Sequence, residues 1–158
     1  MDNPSLPDGP ALAYLRAVVT ALGPHAGSTC GFTWPERYLT PEVAICVGLC
    51  GPHVIFWNPF GGGWFCDRVD EDDCMLDEAH ALIEGAVVPR PADVVSAVML
   101  QFEPRLDALP LIASETSVPD GTRLTPAQQR AVDRGVLTED VARRLAVYAA
   151  EEAALTHA

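Results

Sequence analysis

Residues 43–69 read VAICVGLCGPHVIFWNPFGGGWFCDRV, and this stretch decides the fold. It contains two of the three tryptophans and no charged side chain before Asp67. Runs rich in Val, Ile and aromatic residues, separated by Gly-Pro and Gly-rich turns, are typical of antiparallel strands. The stretch therefore predicts strands at residues 43–50, 53–57 and 64–69, arranged as a meander.

Helices are predicted on both sides of this sheet. Before it, ALAYLRAVVTAL at residues 11–22 repeats apolar side chains at helical spacing and ends at a Gly-Pro pair. After it, PADVVSAVMLQF at residues 91–102 begins with proline, which suits the first helical position. A short edge strand is expected within residues 26–35 and a short helix at residues 75–84. The predicted fold class is α+β, with an antiparallel meander of three to five strands flanked by helices.

A change of composition divides the chain. SETSVPDGT at residues 114–122 is rich in turn residues and predicts a linker. The expected organisation is an α+β domain at 1–113, this linker, and a helical C-terminal extension at 123–158.

Two helices are expected in the extension. Thr125 and Gln128 have the spacing of a capping box, which predicts a short helix. A longer helix should follow from Glu139 to about Leu155. Its apolar stripe, which includes Val141, Leu145 and Tyr148, is predicted to pack on the domain or on another chain.

Three segments in this order resemble a family. They are ALAYLRAVVTALG at residues 11–23, VIFWNPFGGGW at 54–64 and VVPRPADVVSAV at 87–98. Together they look like an uncharacterised family of small actinobacterial domains of unknown function, with a helix, a β-meander containing a Trp/Gly-Trp hairpin, and a helix initiated by Pro-x-Pro. The resemblance covers roughly residues 11–102 and implies a fold but no catalytic residue. It depends on Trp57, Gly63, Trp64, Pro89 and Pro91.

The charge balance narrows the function classes. The chain has 22 acidic residues, ten arginines and no lysine, for a net charge of −12. The absence of lysine excludes a lysine Schiff base and a Walker-A lysine on this chain. Nucleic acid affinity depends on cationic groups that displace counterions, so the charge disfavours a nucleic acid partner. A basic protein partner fits better.

Membrane and export signals are not expected. No apolar run approaches the roughly 20 residues needed to span a bilayer. The first ten residues, MDNPSLPDGP, have neither the basic region nor the apolar region of a signal peptide. A cytoplasmic location is the resulting expectation.

The acidic run Asp70, Glu71, Asp72 and Asp73 is the candidate partner-binding face. Alternatives are a divalent-ion site and a solvated helix start, and the spacing does not match the regular calcium loop. A basic protein would be attracted to such a face.

The cysteines suggest two weaker sites. Cys46, Cys50 and His53 have spacing that could hold zinc, with Cys30 or Cys66 as a fourth ligand. In an extended strand, however, Cys46 and Cys50 would lie about 13 Å apart. Buried free thiols are the simpler interpretation, and no cofactor is expected.

A thiol nucleophile is the other reading of the cysteines. Cys66 or Cys74 could pair with His80, but the acidic surroundings should raise a thiol pKa.

The leading hypothesis is a non-enzymatic, acidic interaction or regulatory protein that binds another protein through its acidic face and C-terminal helix, with a homodimer as an open alternative. A second hypothesis is a DNA-associated transcriptional regulator with a degenerate helix-turn-helix tail. That tail would place Glu151 and Glu152 against phosphate, so a single amphipathic helix fits better. The third is a small metal- or thiol-dependent enzyme.

Overall fold

A computed structural model describes residues 9–23, 26–28, 45–49, 53–59, 63–68, 79–101 and 109–156, with the backbone alone at 26–28 and 45–49. The α+β class predicted from the sequence is confirmed. In chain order the elements are α1 (Leu12–Leu22), β1 (Ala26–Ser28), β2 (Ile45–Leu49), β3 (His53–Asn58), β4 (Gly63–Arg68), β5 (His80–Ala81), β6 (Ile83–Glu84), α2 (Pro91–Gln101), β7 (Leu111–Ile112), α3 (Pro126–Asp133) and α4 (Glu139–Thr156).

The main sheet is an antiparallel meander with the strand order β1-β2-β3-β4-β5. Most of its pairing lies in the three central strands, where β2 pairs with β3 and β3 with β4. Trp57 lies directly opposite Trp64, and Ile55 opposite Cys66, so these side chains share one face of the sheet. This meander confirms the arrangement predicted from residues 43–69.

Helix α1 lies on the face of the sheet that carries both tryptophans. Its buried residues Tyr14, Leu15 and Val18 belong to the same core cluster as Trp57 and Trp64. Helices α2 and α4 pack against α1. The C-terminal helices therefore share one hydrophobic core with the sheet. No helix in the described ranges is long and apolar enough to cross a membrane.

The prediction of a helix at residues 75–84 is wrong for its C-terminal part. Residues 69–78 lie outside the described residues. His80 pairs with Cys66 in β5, and Ile83 pairs in parallel with Leu111 of β7. The Leu82 N–H donates to the Trp64 carbonyl at 3.0 Å. A short isolated helix is marginal, whereas these long-range hydrogen bonds and the burial of Leu82 favour the extended form.

The C-terminal helices begin as the sequence predicts. Thr125 and Gln128 form both hydrogen bonds of a capping box at the start of α3. Helix α4 is a single helix of 18 residues, as expected for one amphipathic helix and not for a helix-turn-helix within the tail. Before them, Thr116 donates its N–H to the Val88 carbonyl at 2.9 Å, so this part of residues 114–122 is attached to the fold.

Candidate functional site

A polar and aromatic network surrounds the backbone of residues 87–89. The Trp57 indole N–H donates to the Val87 carbonyl at 2.6 Å. The Tyr14 hydroxyl donates to the Pro89 carbonyl at 2.7 Å and accepts from the Trp64 indole at 2.9 Å. Two tryptophans of the sheet and one tyrosine of α1 therefore hold the chain just before α2.

The same backbone is held from the C-terminal side. The Thr116 hydroxyl donates to the Val88 carbonyl at 2.8 Å. Since that hydroxyl has one hydrogen, the Tyr148 hydroxyl is the donor in their 2.7 Å contact. Tyr148 also packs on Tyr14, with ring centroids 4.9 Å apart. The network thus connects α4, α1 and residues 87–89.

Glu115 and Arg144 complete this network. The Glu115 carboxylate accepts from the backbone N–H groups of both Val87 and Val88. The Arg144 Nε lies 3.4 Å from the same carboxylate, and its guanidinium also donates to the Thr116 carbonyl. Charge-assisted hydrogen bonds of this kind are stronger than neutral ones. Their combination fixes the chain at Glu115 against α4.

The network has the properties of an anchor. Burial raises the pKa of Tyr14 well above its ordinary value, although the Trp64 hydrogen bond opposes this, and burial also raises the pKa of Tyr148. Both phenols are therefore neutral near pH 7 and cannot serve as bases. Within the described part of the chain, every buried side-chain nitrogen and oxygen has a hydrogen-bond partner.

Gly63 permits the close approach of β4 to this backbone. Its φ is +84°, and a Cβ built on it would lie 2.8 Å from the Ala86 carbonyl oxygen and 2.9 Å from that of Val87. Only glycine accepts both conditions without strain.

The structure brings together one thiol–imidazole pair suggested by the sequence. Cys66 and His80 are direct neighbours across β4 and β5, and the His80 Nε2 lies 2.8 Å from the Gln101 amide oxygen. However, Cys66 is only 2% exposed. Burial, and then the nearby Asp67, raises the pKa of its thiol to about 11. A thiolate nucleophile at neutral pH is therefore disfavoured here, and Cys74 lies outside the described residues.

Of the three zinc candidates, the structure describes only the side chain of His53. Burial lowers the pKa of His53, and the charges of Arg68 and His80 lower it further. The Cys50 residue and the Cys46 side chain lie outside the described residues, as does Cys30. Among the side chains that are described, no group of three or more His, Cys, Asp or Glu could hold a metal ion. The zinc hypothesis stays a prediction.

The predicted partner-binding residues fall into two sets. The acidic residues Asp70, Glu71, Asp72 and Asp73 lie outside the described residues. The α4 stripe is buried in the chain's own core, with Val141, Leu145 and Tyr148 exposed by 6%, 0% and 7%. Those three side chains pack within the fold, so a partner would have to contact another side of α4. The structure favours packing on the domain over packing on another chain.

An open groove lies beside Phe65 of β4, whose side chain is on the sheet face opposite to the two tryptophans. Phe65 lies between Trp64 and Cys66 in β4, so its side chain points to the other face. There it stacks on Phe56 with ring centroids 5.5 Å apart. The groove beside this ring has a volume of about 390 Å³, and we call it the Phe65 groove. Its lining includes Phe65, Ala81, Ile83, Glu84, Ala86 and Glu115.

Sequence reasoning missed the roles of Glu115, Thr116 and Arg144. Glu115 and Thr116 lie in a segment whose composition indicated only a linker. Arg144 lies one turn after Asp140, and their 3.0 Å ion pair is the local pattern that spacing can indicate. The contact of Arg144 with Glu115 spans 29 positions of the chain, so no local signal could have revealed it.

Comparisons with protein families, with curated proteins and with solved structures gave no significant match.

Proposed function

We propose that this protein is a non-enzymatic interaction or regulatory protein that binds a basic protein partner through its acidic residues. The observation that carries this proposal is the distribution of charge. The described residues contain ten acids and eight arginines. Twelve of the 22 acids, but only two of the ten arginines, lie in the remaining segments. The excess negative charge is therefore concentrated there, and it includes Asp70, Glu71, Asp72 and Asp73.

Internal ion pairs strengthen this argument. Arg16 pairs with Glu152 at 2.7 Å, Arg143 with Glu139 at 2.8 Å, and Arg144 with Asp140 at 3.0 Å. Much of the described positive charge is thus matched within the chain. A partner with basic side chains would be attracted to the excess negative charge of the chain and would associate faster at low salt.

The proposal also covers the location, self-association and family of the protein. We infer a cytoplasmic location from the reduced-thiol interpretation of the cysteines. A homodimer through the exposed side of α4, which carries the 80% exposed Leu155, is a further hypothesis. Membership in the small actinobacterial family is also a proposal, for which the order of helix, meander and Pro-x-Pro helix is the support.

The test is affinity capture from the native host, followed by measurement of the dissociation constant with the purified partner. A variant with Asp70→Asn, Glu71→Gln, Asp72→Asn and Asp73→Asn should bind at least tenfold more weakly. The matched control neutralises four exposed acids elsewhere, with Asp120→Asn, Asp133→Asn, Glu139→Gln and Glu151→Gln.

Equal loss in both variants would indicate non-specific attraction and would contradict the proposed face. Salt-dependent binding to duplex DNA, with no protein partner captured, would favour the DNA-associated regulator instead.

A further inference from the structure

The Phe65 groove combines apolar walls with two carboxylates. Ala81, Ile83 and Ala86 line it together with the Phe65 ring, and Glu84 and Glu115 are among its lining residues. Its volume of about 390 Å³ is near the lower end of the roughly 300–1,000 Å³ typical of ligand pockets. A cavity of this size and composition suits one long side chain with an apolar stem and a cationic end.

Glu84 supplies a carboxylate that the fold leaves exposed. Its side chain projects from the short strand β6 and is exposed to solvent. In the ranges that the structure describes, no arginine forms an ion pair with it. A cation that entered the groove would therefore not have to displace an existing partner of Glu84.

Glu115 supplies a second carboxylate, and its position is fixed. Both of its oxygens accept backbone hydrogen bonds, from Val87 and from Val88. Each carboxylate oxygen has a second acceptor site, so these bonds leave capacity for a further donor. Arg144 approaches this carboxylate at 3.4 Å and partly balances its charge. Glu115 is thus a preorganised acceptor, while Glu84 supplies uncompensated negative charge.

Phe65 gives the groove an aromatic wall in a fixed position. Its ring stacks on Phe56 with an interplanar angle of 13° and is partly exposed. Aromatic rings attract cations, and the planar guanidinium of arginine also stacks on them. The methylene groups of an arginine would meanwhile lie against apolar surface. Arginine therefore matches the groove better than lysine, whose ammonium is a strongly hydrated point charge.

We propose that the Phe65 groove binds an arginine side chain of the basic partner, held between the Phe65 ring and the carboxylates of Glu84 and Glu115. This inference rests on the proposed function for the identity of the partner. The preference of the groove for a guanidinium can be tested without that partner.

The direct test is a nuclear magnetic resonance titration of the full chain with N-acetyl-arginine amide. N-acetyl-citrulline amide is the matched control ligand, since citrulline has nearly the same shape but no charge. Saturable shifts are expected at Phe65, Glu84 and Ala86 with the arginine probe, and binding of the citrulline probe should be at least tenfold weaker. Equal binding of the two probes, or no shifts at these residues, would overturn the proposal.

Two groove variants and one control variant test the site further. Glu84→Gln should weaken binding of the arginine probe about tenfold, because it removes an exposed carboxylate while keeping the side-chain shape. Glu151→Gln makes the same charge change on the exposed side of α4 and should leave the affinity unchanged. Phe65→Leu keeps an apolar wall and should weaken the probe roughly threefold. Equal effects of Glu84→Gln and Glu151→Gln would also reject the groove.

The two proposals fail separately. If a basic partner binds and Glu84→Gln has no effect on it or on the arginine probe, the groove is wrong and the proposed function stands. If the arginine probe binds in the groove but no basic partner is captured, the groove stands and the proposed function fails.

Discussion

Strands β3 and β4 carry aromatic pairs on both faces, and the two pairs differ in chemistry. On one face Trp57 and Trp64 are fully buried and pack against Tyr14, with centroid distances of 5.9 and 6.3 Å. On the other face Phe56 stacks on Phe65, which is only partly buried. The first pair belongs to the main core, and Phe65 of the second pair borders a groove.

The tryptophan pair carries polar N–H groups, which the phenylalanine pair lacks. An indole or a phenol can be buried at low free-energy cost only when its N–H or O–H finds a partner. Here those partners are the carbonyls of Val87 and Pro89 and the Tyr14 hydroxyl. The hydrogen bonds of the tryptophan face thereby fix the backbone of residues 87–89 against the sheet and α1. A phenyl ring has no such requirement, and the alternation of side chains along β4 leaves Phe65 partly exposed beside the groove.

The difference between the two faces can be tested by removing one ring from each. Trp64→Ala should lower the free energy of unfolding by about 3–5 kcal/mol, because it leaves a large cavity and removes a hydrogen bond to Tyr14. Phe65→Ala should lower it by less than half as much, since that ring is partly exposed already. Urea unfolding followed by circular dichroism measures both. Equal losses would mean that Phe65 is as structural as Trp64.

A smaller loss is expected from adding one methyl group at the contact between β4 and residues 86–87. Gly63→Ala should cost about 2–4 kcal/mol, because the new Cβ would meet two carbonyl oxygens at a positive φ. Gly121→Ala is the matched control. Its φ is also +84°, but no atom lies within 4 Å of the new Cβ, so about 1–2 kcal/mol of backbone strain should remain. Thermal or urea unfolding of the two variants separates packing from strain, and similar losses would contradict the close approach.

Two threonine substitutions test how much the hydrogen bonds of the buried network contribute to stability. Thr116→Val keeps the volume but removes the donor to Val88 and leaves the Tyr148 hydroxyl without its acceptor, so it should cost about 1–3 kcal/mol. Thr122→Val removes an exposed hydroxyl that donates to Pro119 at 2.7 Å and should change stability by less than about 0.5 kcal/mol. If both substitutions cost the same, burial of the network would not be the reason for its contribution.

The smallest change in stability near neutral pH is expected from titration of Cys66, which faces the core beside Trp64. Its pKa is raised from 9.0 to about 11 in the folded protein. The folded state therefore favours the protonated thiol, and this contribution to stability is fully present below pH 9 and is lost as the pH rises from 9 through 11. Stability should fall over this window, and Cys66→Ala should reduce the fall without introducing another titrating group.

Alkylation followed by peptide mass mapping gives an independent measurement of this thiol. At pH 8 the Cys66 peptide of the folded protein should react far more slowly than the same peptide after unfolding. Rapid labelling of Cys66 in the folded chain would show that the thiol is accessible and would reopen the pairing with His80 as a reactive site.

Much of the fold was predictable because its signals are local. The periodicity of α1, the Gly-Pro pair that precedes β3 in the sequence, and the capping box of Thr125 and Gln128 each involve residues close in sequence. Residues 80–84 were not predictable in the same way. Their composition suits a helix, yet they pair with β4 and β7, and those partners are chosen by the three-dimensional arrangement.

The candidate sites also differ in whether the sequence alone could predict them. The acidic run at Asp70–Asp73 and the Cys66–His80 candidate were visible in the sequence, because they need only the right residue types. The burial of Cys66 and the groove beside Phe65 were not visible. Alternation along β4 places Phe65 and Trp64 on different faces of the sheet. Which of the two faces is covered by the core depends on the position of α1.

The sequence alone determined the α+β class, the meander of residues 43–69, the negative charge and the exclusion of lysine chemistry, because these follow from composition and short spacing. Tertiary structure decided that two tryptophans and two tyrosines anchor residues 87–89, and that α4 buries Val141, Leu145 and Tyr148 in the chain's own core. The physical reason is that a buried polar group must find a partner wherever the fold supplies one. For Trp57 and Tyr14 those partners lie 30 and 75 positions away along the chain.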